Sequence, residues 1–125
     1  MPSVSADAVP EQSTAVDEHS PGRPVPAPGA TRPPAILAAA SELLRALSAP
    51  VRIALVLQLQ DSERCVHELV ESLGVAQPLI SQHLRVLKSA GVVVGVRHGR
   101  EVVYRLVDEH LAHIVLDAVT HAEEE

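Results

Sequence analysis

Residues 65–106, CVHELVESLGVAQPLISQHLRVLKSAGVVVGVRHGREVVYRL, constrain the fold more than any other part of the chain. Gly74 can take the left-handed backbone that ends a helix, which gives a short turn after the first periodic segment. Pro78 suits the first turn of a second helix, where no N–H donor is required. Counted at about 100° per residue, Ser81, Gln82, Arg85, Lys88 and Ser89 share one sector, while Leu79, Ile80, Leu84, Val86, Leu87 and Ala90 occupy the opposite side. Val93–Arg97 and Glu101–Leu106 are strand-like runs around His98-Gly99, where glycine can supply a positive φ. Helix, tight turn, helix with one polar face and β-hairpin together make a winged helix-turn-helix.

Ser, Gln and Arg are side chains that bond base edges and phosphates in a DNA major groove. On an isolated helix such a face would be merely solvated. The hairpin changes that reading, because Arg97, His98 and Arg100 crowd its tip, where they can lie along a phosphate backbone. The candidate DNA-binding residues are therefore Gln77, Ser81, Gln82, Arg85 and Lys88 on the helix, with Arg97, His98 and Arg100 on the wing. By the same count His83 faces the packed side and is read as a packing residue.

Net charge supports this once its distribution is considered. The chain carries −6 overall, yet residues 64–106 hold six cations against Glu68, Glu71 and Glu101, a local balance of +3. Residues 107–125 hold six acids and no Lys or Arg. Positive charge lies where DNA would be, and the acid lies at the far end.

The patterns HELVESLGVAQPLISQHLRVLKSAGVV, VRHGREVVYRL and the upstream LSAPVRIALVL resemble the ArsR/SmtB family of metal-sensing bacterial repressors, over about residues 35–125. The resemblance implies a mostly α fold with a small β-hairpin, ordered α-α-α-α-β-β-α and homodimeric. It also implies a repressor that binds a double-stranded operator.

The rest of the chain fits one such domain with an extension. Residues 1–34 hold eight of the ten prolines and show no apolar periodicity, so a disordered Pro-rich tail is expected there, followed by the folded domain over 35–125. Ala35–Leu47 has Ile36, Ala40, Leu43, Leu44 and Leu47 at helical spacing. Ser48 can cap a second, nearly all-apolar helix over Val51–Leu59, with Pro50 in its first turn, and Asp61–Arg64 reads as a polar connection. One Tyr with no Phe or Trp leaves a core of Leu, Val, Ile and Ala, which would gain from burying more surface in a dimer. Apolar stretches are too short or interrupted to span a bilayer, and the N-terminus lacks the layout of a signal peptide. A lone cysteine excludes an intrachain disulfide. A cytoplasmic location is expected.

The last segment carries a second chemistry. Asp108 can cap a helix whose apolar stripe is Leu111, Ile114, Val115 and Ala118. Beside that stripe, within about 80° of one another, lie His110, His113, Asp117, His121 and Glu124. His110 and His121 are almost one above the other but roughly 16 Å apart along the axis, too far for one zinc ion with bonds of about 2.0–2.2 Å. Two antiparallel copies would bring the start of one helix beside the end of the other, so that Asp108 and His110 of one protomer could meet His121 and Glu124 of its partner. The zinc-sensing members of the family resemble this pattern in their C-terminal helix, and the resemblance carried over gives Asp108, His110, His121 and Glu124 as ligands of Zn²⁺. His113 and Asp117 depart from the pattern; they can enlarge the shell, which would favour Ni²⁺ or Co²⁺, or support the ligands.

A second candidate metal site is Cys65 with His67 and Glu68, joined by His19 from the tail. One thiolate per protomer does not suit arsenic, cadmium or lead sites built from several thiolates. Two alternatives to a zinc sensor stand beside it: a winged-helix repressor responding to nickel, cobalt or oxidation of Cys65, and a metal-independent DNA- or partner-binding module. No membrane partner or small-molecule substrate is implied. An enzyme is not expected, because Ser81 and His83 point in different directions, Cys65-x-His67 has no orienting group, and no phosphate-binding glycine loop occurs.

Overall fold

A computed structural model of the protein describes residues 20–124. Residues 20–31 belong to a first unit, Met1–Thr31, and contain a turn at 21–22 but neither helix nor strand; Arg32–Glu125 forms a second compact unit. The elements of that second unit are α1 (Pro34–Leu47), α2 (Pro50–Asp61), β1 (Arg64–Cys65), α3 (Val66–Leu73), α4 (Gln77–Ser89), β2 (Val93–His98), β3 (Glu101–Leu106) and α5 (Glu109–Glu123).

The expected order holds with one addition. Arg64 and Cys65, expected as the end of a polar connection and a helix start, pair antiparallel with Tyr104 and Val103, giving a sheet ordered β1-β3-β2. Two residues carry no alternation for periodicity to detect; the hairpin edge that they join creates the strand. Within the hairpin the register runs from Val93↔Leu106 to His98↔Glu101, leaving Gly99 and Arg100 as a two-residue turn with Gly99 at φ 65°.

Helix α2 sits at the centre and packs against α1, α3, α4, α5 and β3. Its Leu55, Val56 and Leu59 are buried among Leu69 of α3, Ile80, Leu84 and Leu87 of α4, and Leu111 and Val115 of α5. Burying an aliphatic side chain of this kind contributes about 1.5–3 kcal/mol. Between α3 and α4 the chain turns at Gly74, whose φ of 65° and ψ of 27° end α3, with its N–H on the Val70 carbonyl. Pro78 stands in the first turn of α4, as the sequence implied.

Three local readings are corrected. Ser48 does not cap α2; Ala49 is its N-cap, because Pro50 forces the preceding residue into an extended conformation and Ser48 closes α1 instead. The packed side of α4 is narrower than the apolar sector, since Leu79 and Val86 are exposed while Ile80, Leu84 and Leu87 are buried. In α1, Leu47 is buried and Leu43 packs partly on the core, but Ile36 and Leu44 point outward together with Leu37. No described helix is long and apolar enough to cross a membrane.

Candidate DNA interface and metal-ligand helix

Helix α4 divides its residues as a groove-reading helix must. Ile80, Leu84 and Leu87 anchor one side in the core, and this leaves Gln77, Gln82, Arg85 and Lys88 exposed, with Ser81 half-buried at the edge of that face. Arg97, His98 and Arg100 are all exposed at the end of the β2–β3 hairpin. Among the described residues, none of the side chains of Arg85, Lys88, Arg97 and Arg100 has a hydrogen bond or ion pair. Unpartnered cations on a helix face and on an adjacent hairpin can neutralise phosphates at no internal loss.

His83 is on a different side of α4. Its half-buried ring meets Arg52 of α2, with Nδ1 3.1 Å from the guanidinium Nη1, while Arg52 Nε donates to the Ala46 carbonyl. Nothing in the local sequence pattern gives Arg52 a role. The available signal was a lone cation inside an otherwise apolar helix.

Helix α5 starts at Asp108, whose Oδ1 accepts the backbone N–H groups of His110 at 3.0 Å and Leu111 at 3.4 Å. Leu111, Ala112 and Val115 turn inward against the core. The expected apolar stripe splits at this point, because Ile114 and Ala118 face outward. His110, His113, Asp117, His121 and Glu124 are exposed. His113 lines a cleft of about 470 Å³ at the junction of α2, β3 and α5, together with Arg105 and Asp108. Among the described residues of one protomer, no three His, Cys, Asp or Glu side chains converge on one point. Asp108 and His110 do come together, with Oδ1 3.5 Å from Nδ1.

The second candidate site is arranged otherwise. Cys65 is buried and caps α3: Glu68 Oε1 accepts the Cys65 N–H at 2.9 Å, and the thiol takes the place that a Ser or Thr hydroxyl has in such a capping box. That bond holds the Glu68 carboxyl below its ordinary pKa, with smaller help from Arg64 and His67. His67 reaches Glu71 at 3.5 Å instead of turning to Cys65. His19 lies outside the described residues.

The architecture now has counterparts. The sequence profile of the family described as "Bacterial regulatory protein, arsR family" matches residues 49–94, from the start of α2 to the first strand of the wing. The HTH-type transcriptional repressor SmtB of Mycobacterium tuberculosis (strain H37Rv) is 62% identical over 122 residues, which is 98% of this chain and 88% of the relative. The chain belongs to the ArsR family. It is a DNA-binding transcriptional repressor of the ArsR/SmtB type and not an enzyme. Two solved ArsR-like structures share the fold. The solution structure of apo-NmtR is 36% identical with a TM-score of 0.62, covering 86% of this chain and 88% of that one. The homodimeric winged helix-turn-helix domain of Mb0332 from Mycobacterium bovis is 28% identical with a TM-score of 0.66, covering 72% and 83%.

Proposed function

We propose that this ArsR-family repressor is a zinc-responsive homodimer that holds its operator in the metal-free state and releases it when metal binds. The observation that carries the reading is the outward flank of α5. Four side chains that suit a tetrahedral Zn²⁺ shell, Asp108, His110, His121 and Glu124, stand on the side of the helix that the core leaves bare. Too far apart along one helix to share an ion, they need a second copy.

That second copy also answers the exposed apolar side chains. Ile36, Leu37 and Leu44 of α1 and Ile114 and Leu116 of α5 are each at least 39% exposed in the single chain. Bare apolar side chains such as these are the kind that a second copy of the chain would cover. With α5 antiparallel to its copy, Asp108 and His110 of one protomer would hold the ion with His121 and Glu124 of the other. When bound, the ion supplies a charge-neutralising cross-link between the two helices.

The residues themselves do the rest. Gln77, Ser81, Gln82, Arg85 and Lys88 face the major groove from α4, Arg97, His98 and Arg100 lie on the backbone, and the dimer spaces two such surfaces for successive half-sites. His110 and His121 would each offer the ion one imidazole nitrogen. Because a dimer form that favours the metal shell disfavours the operator spacing, the two ligands weaken each other equally, typically by about 1–3 kcal/mol.

His113 and Asp117, on the same flank, favour a second reading in which the shell is larger and the metal Ni²⁺ or Co²⁺. The burial of Cys65 weighs against thiol oxidation as the signal. A metal-independent module would bind DNA equally with zinc and with chelator. The deciding experiment is fluorescence anisotropy on a labelled duplex selected by the protein from random sequence, titrated with zinc and then with chelator. Chelator-reversible release supports the reading, and binding that ignores zinc overturns it. His121→Ala should bind the duplex as wild type and ignore zinc.

A further inference from the structure

Helix α4 is anchored unevenly. On one side Ile80, Leu84 and Leu87 are fully buried. On the side facing α1, a groove of about 720 Å³ opens between the two helices, lined by Glu42, Arg45, Arg52, Arg85, Val86 and Ser89. Val86 remains exposed in it. Apolar packing holds α1 against the recognition helix only at its end, where Leu47 joins Leu84 and Leu87 in the core, and leaves the groove beside it unfilled.

A single guanidinium bridges the gap. Arg52, in the first turn of α2, donates through Nε to the carbonyl of Ala46, in the last turn of α1, and through Nη1 to His83 Nδ1, midway along α4, at 3.1 Å. A cation in the first turn of α2 opposes that helix's own dipole, whereas at the C-terminus of α1 it meets unsatisfied carbonyls that favour it. Guanidinium can only donate, so His83 accepts at Nδ1 and carries its ring proton on Nε2. Three helices meet on one planar fork. A lysine, with one ammonium in place of the fork, cannot reproduce both directions.

We propose that Arg52 and His83 are positioning residues for DNA binding: the Ala46–Arg52–His83 bridge fixes the recognition helix relative to α1, which carries part of the bare apolar face, and so sets the spacing of the two reading heads. This deepens the repressor reading above and rests on its DNA-binding half, not on zinc.

The test uses the full-length protein on the selected duplex in chelator, with Kd by anisotropy, dimer mass by light scattering and Tm measured in parallel. His83→Leu keeps the volume and removes the acceptor. It is expected to weaken binding about tenfold, the worth of one hydrogen bond to a charged group, with dimer mass unchanged. His83→Asn places an amide oxygen near the position of Nδ1 and is expected to bind within about threefold of wild type. Wild-type affinity in His83→Leu, or equal weakness in the Leu and Asn variants, overturns the proposal. Should His83→Leu not fold, Arg52→Lys decides: a loss of about tenfold supports the bridge and wild-type affinity overturns it. If zinc fails to release the wild-type protein while His83→Leu still loses affinity, the zinc reading falls and the bridge stands.

Discussion

Asp108 and His110 share one oxygen. Asp108 Oδ1 accepts the backbone N–H of His110 at 3.0 Å and lies 3.5 Å from its ring Nδ1. An exposed contact of this kind adds little stability by itself. The cap matters for geometry: it ties the carboxylate to the helix that carries the imidazole, so two donors are preset at the start of α5.

Capping and ligation can therefore be separated at this position. Asparagine caps a helix as well as aspartate does but brings no charge to a metal, whereas alanine loses the cap, at about 1 kcal/mol. Asp108→Asn should melt within a degree or two of wild type and need more zinc to release the duplex; Asp108→Ala should lose both Tm and zinc response. Thermal melts in chelator beside zinc titrations separate the two effects. Wild-type zinc response in both variants would remove Asp108 from the ligand set.

The wing depends on a close approach at Gly95. This residue pairs with Tyr104 in the β2–β3 register, and a Cβ built there would lie 2.8 Å from Val102 Cγ1 and 3.1 Å from Tyr104 Cε2. Both side chains are half-buried and cannot move freely. Gly95→Ala should destabilise the fold by about 1–3 kcal/mol, the usual size of an overpacking defect, and weaken DNA binding through the wing. A lower Tm by calorimetry together with a raised Kd would support this, and an unchanged Tm would show that the hairpin yields.

How far the sequence reached can be judged from such residues. Gly74, Gly99, Pro78 and Asp108 each do what their local chemistry predicts, because turns and caps depend on a few neighbouring atoms. The five helices and the hairpin follow from period and punctuation. What escaped depends on distant partners: Gly95 matters only because Tyr104 lies across the sheet, Arg52 because α1 ends beside α4, and β1 because a hairpin edge waits for it. Leu79, Val86 and Ile114 are apolar at helical spacing yet exposed, since periodicity marks an apolar side without saying which neighbour covers it.

Glu68 makes stability at low pH a readout of the α3 cap. Its carboxyl is held below the ordinary value chiefly because the charged form accepts the Cys65 N–H. A folded pKa below the unfolded one means that the contribution is fully present above the unfolded value and is lost as pH falls through the folded value. Wild type should thus exceed Glu68→Gln in Tm at neutral pH, and the difference should shrink as the solution is acidified past the carboxylate range. A gap that stays constant with pH would assign the effect to side-chain shape and not to charge.

The wing arginines should be legible in salt. Arg97 and Arg100 are exposed at the hairpin tip and their side chains have no partner among the described residues, so each is available to neutralise one phosphate and displace its counterion. The slope of log K against log salt changes by about 0.9 for each phosphate contact. Arg97→Ala and Arg100→Ala should each flatten the slope by about one, and the double variant by about two, with sequence preference unchanged because phosphates carry no base information. Arg85→Ala, on the groove-facing side of α4, should instead relax preference at one base position if it reads an edge, by about 1–3 kcal/mol. Anisotropy at four salt concentrations on the selected duplex and on a scrambled one measures both quantities. A wing variant that loses specificity at an unchanged slope would move the wing from backbone to base, since a lost phosphate contact must appear in the salt dependence.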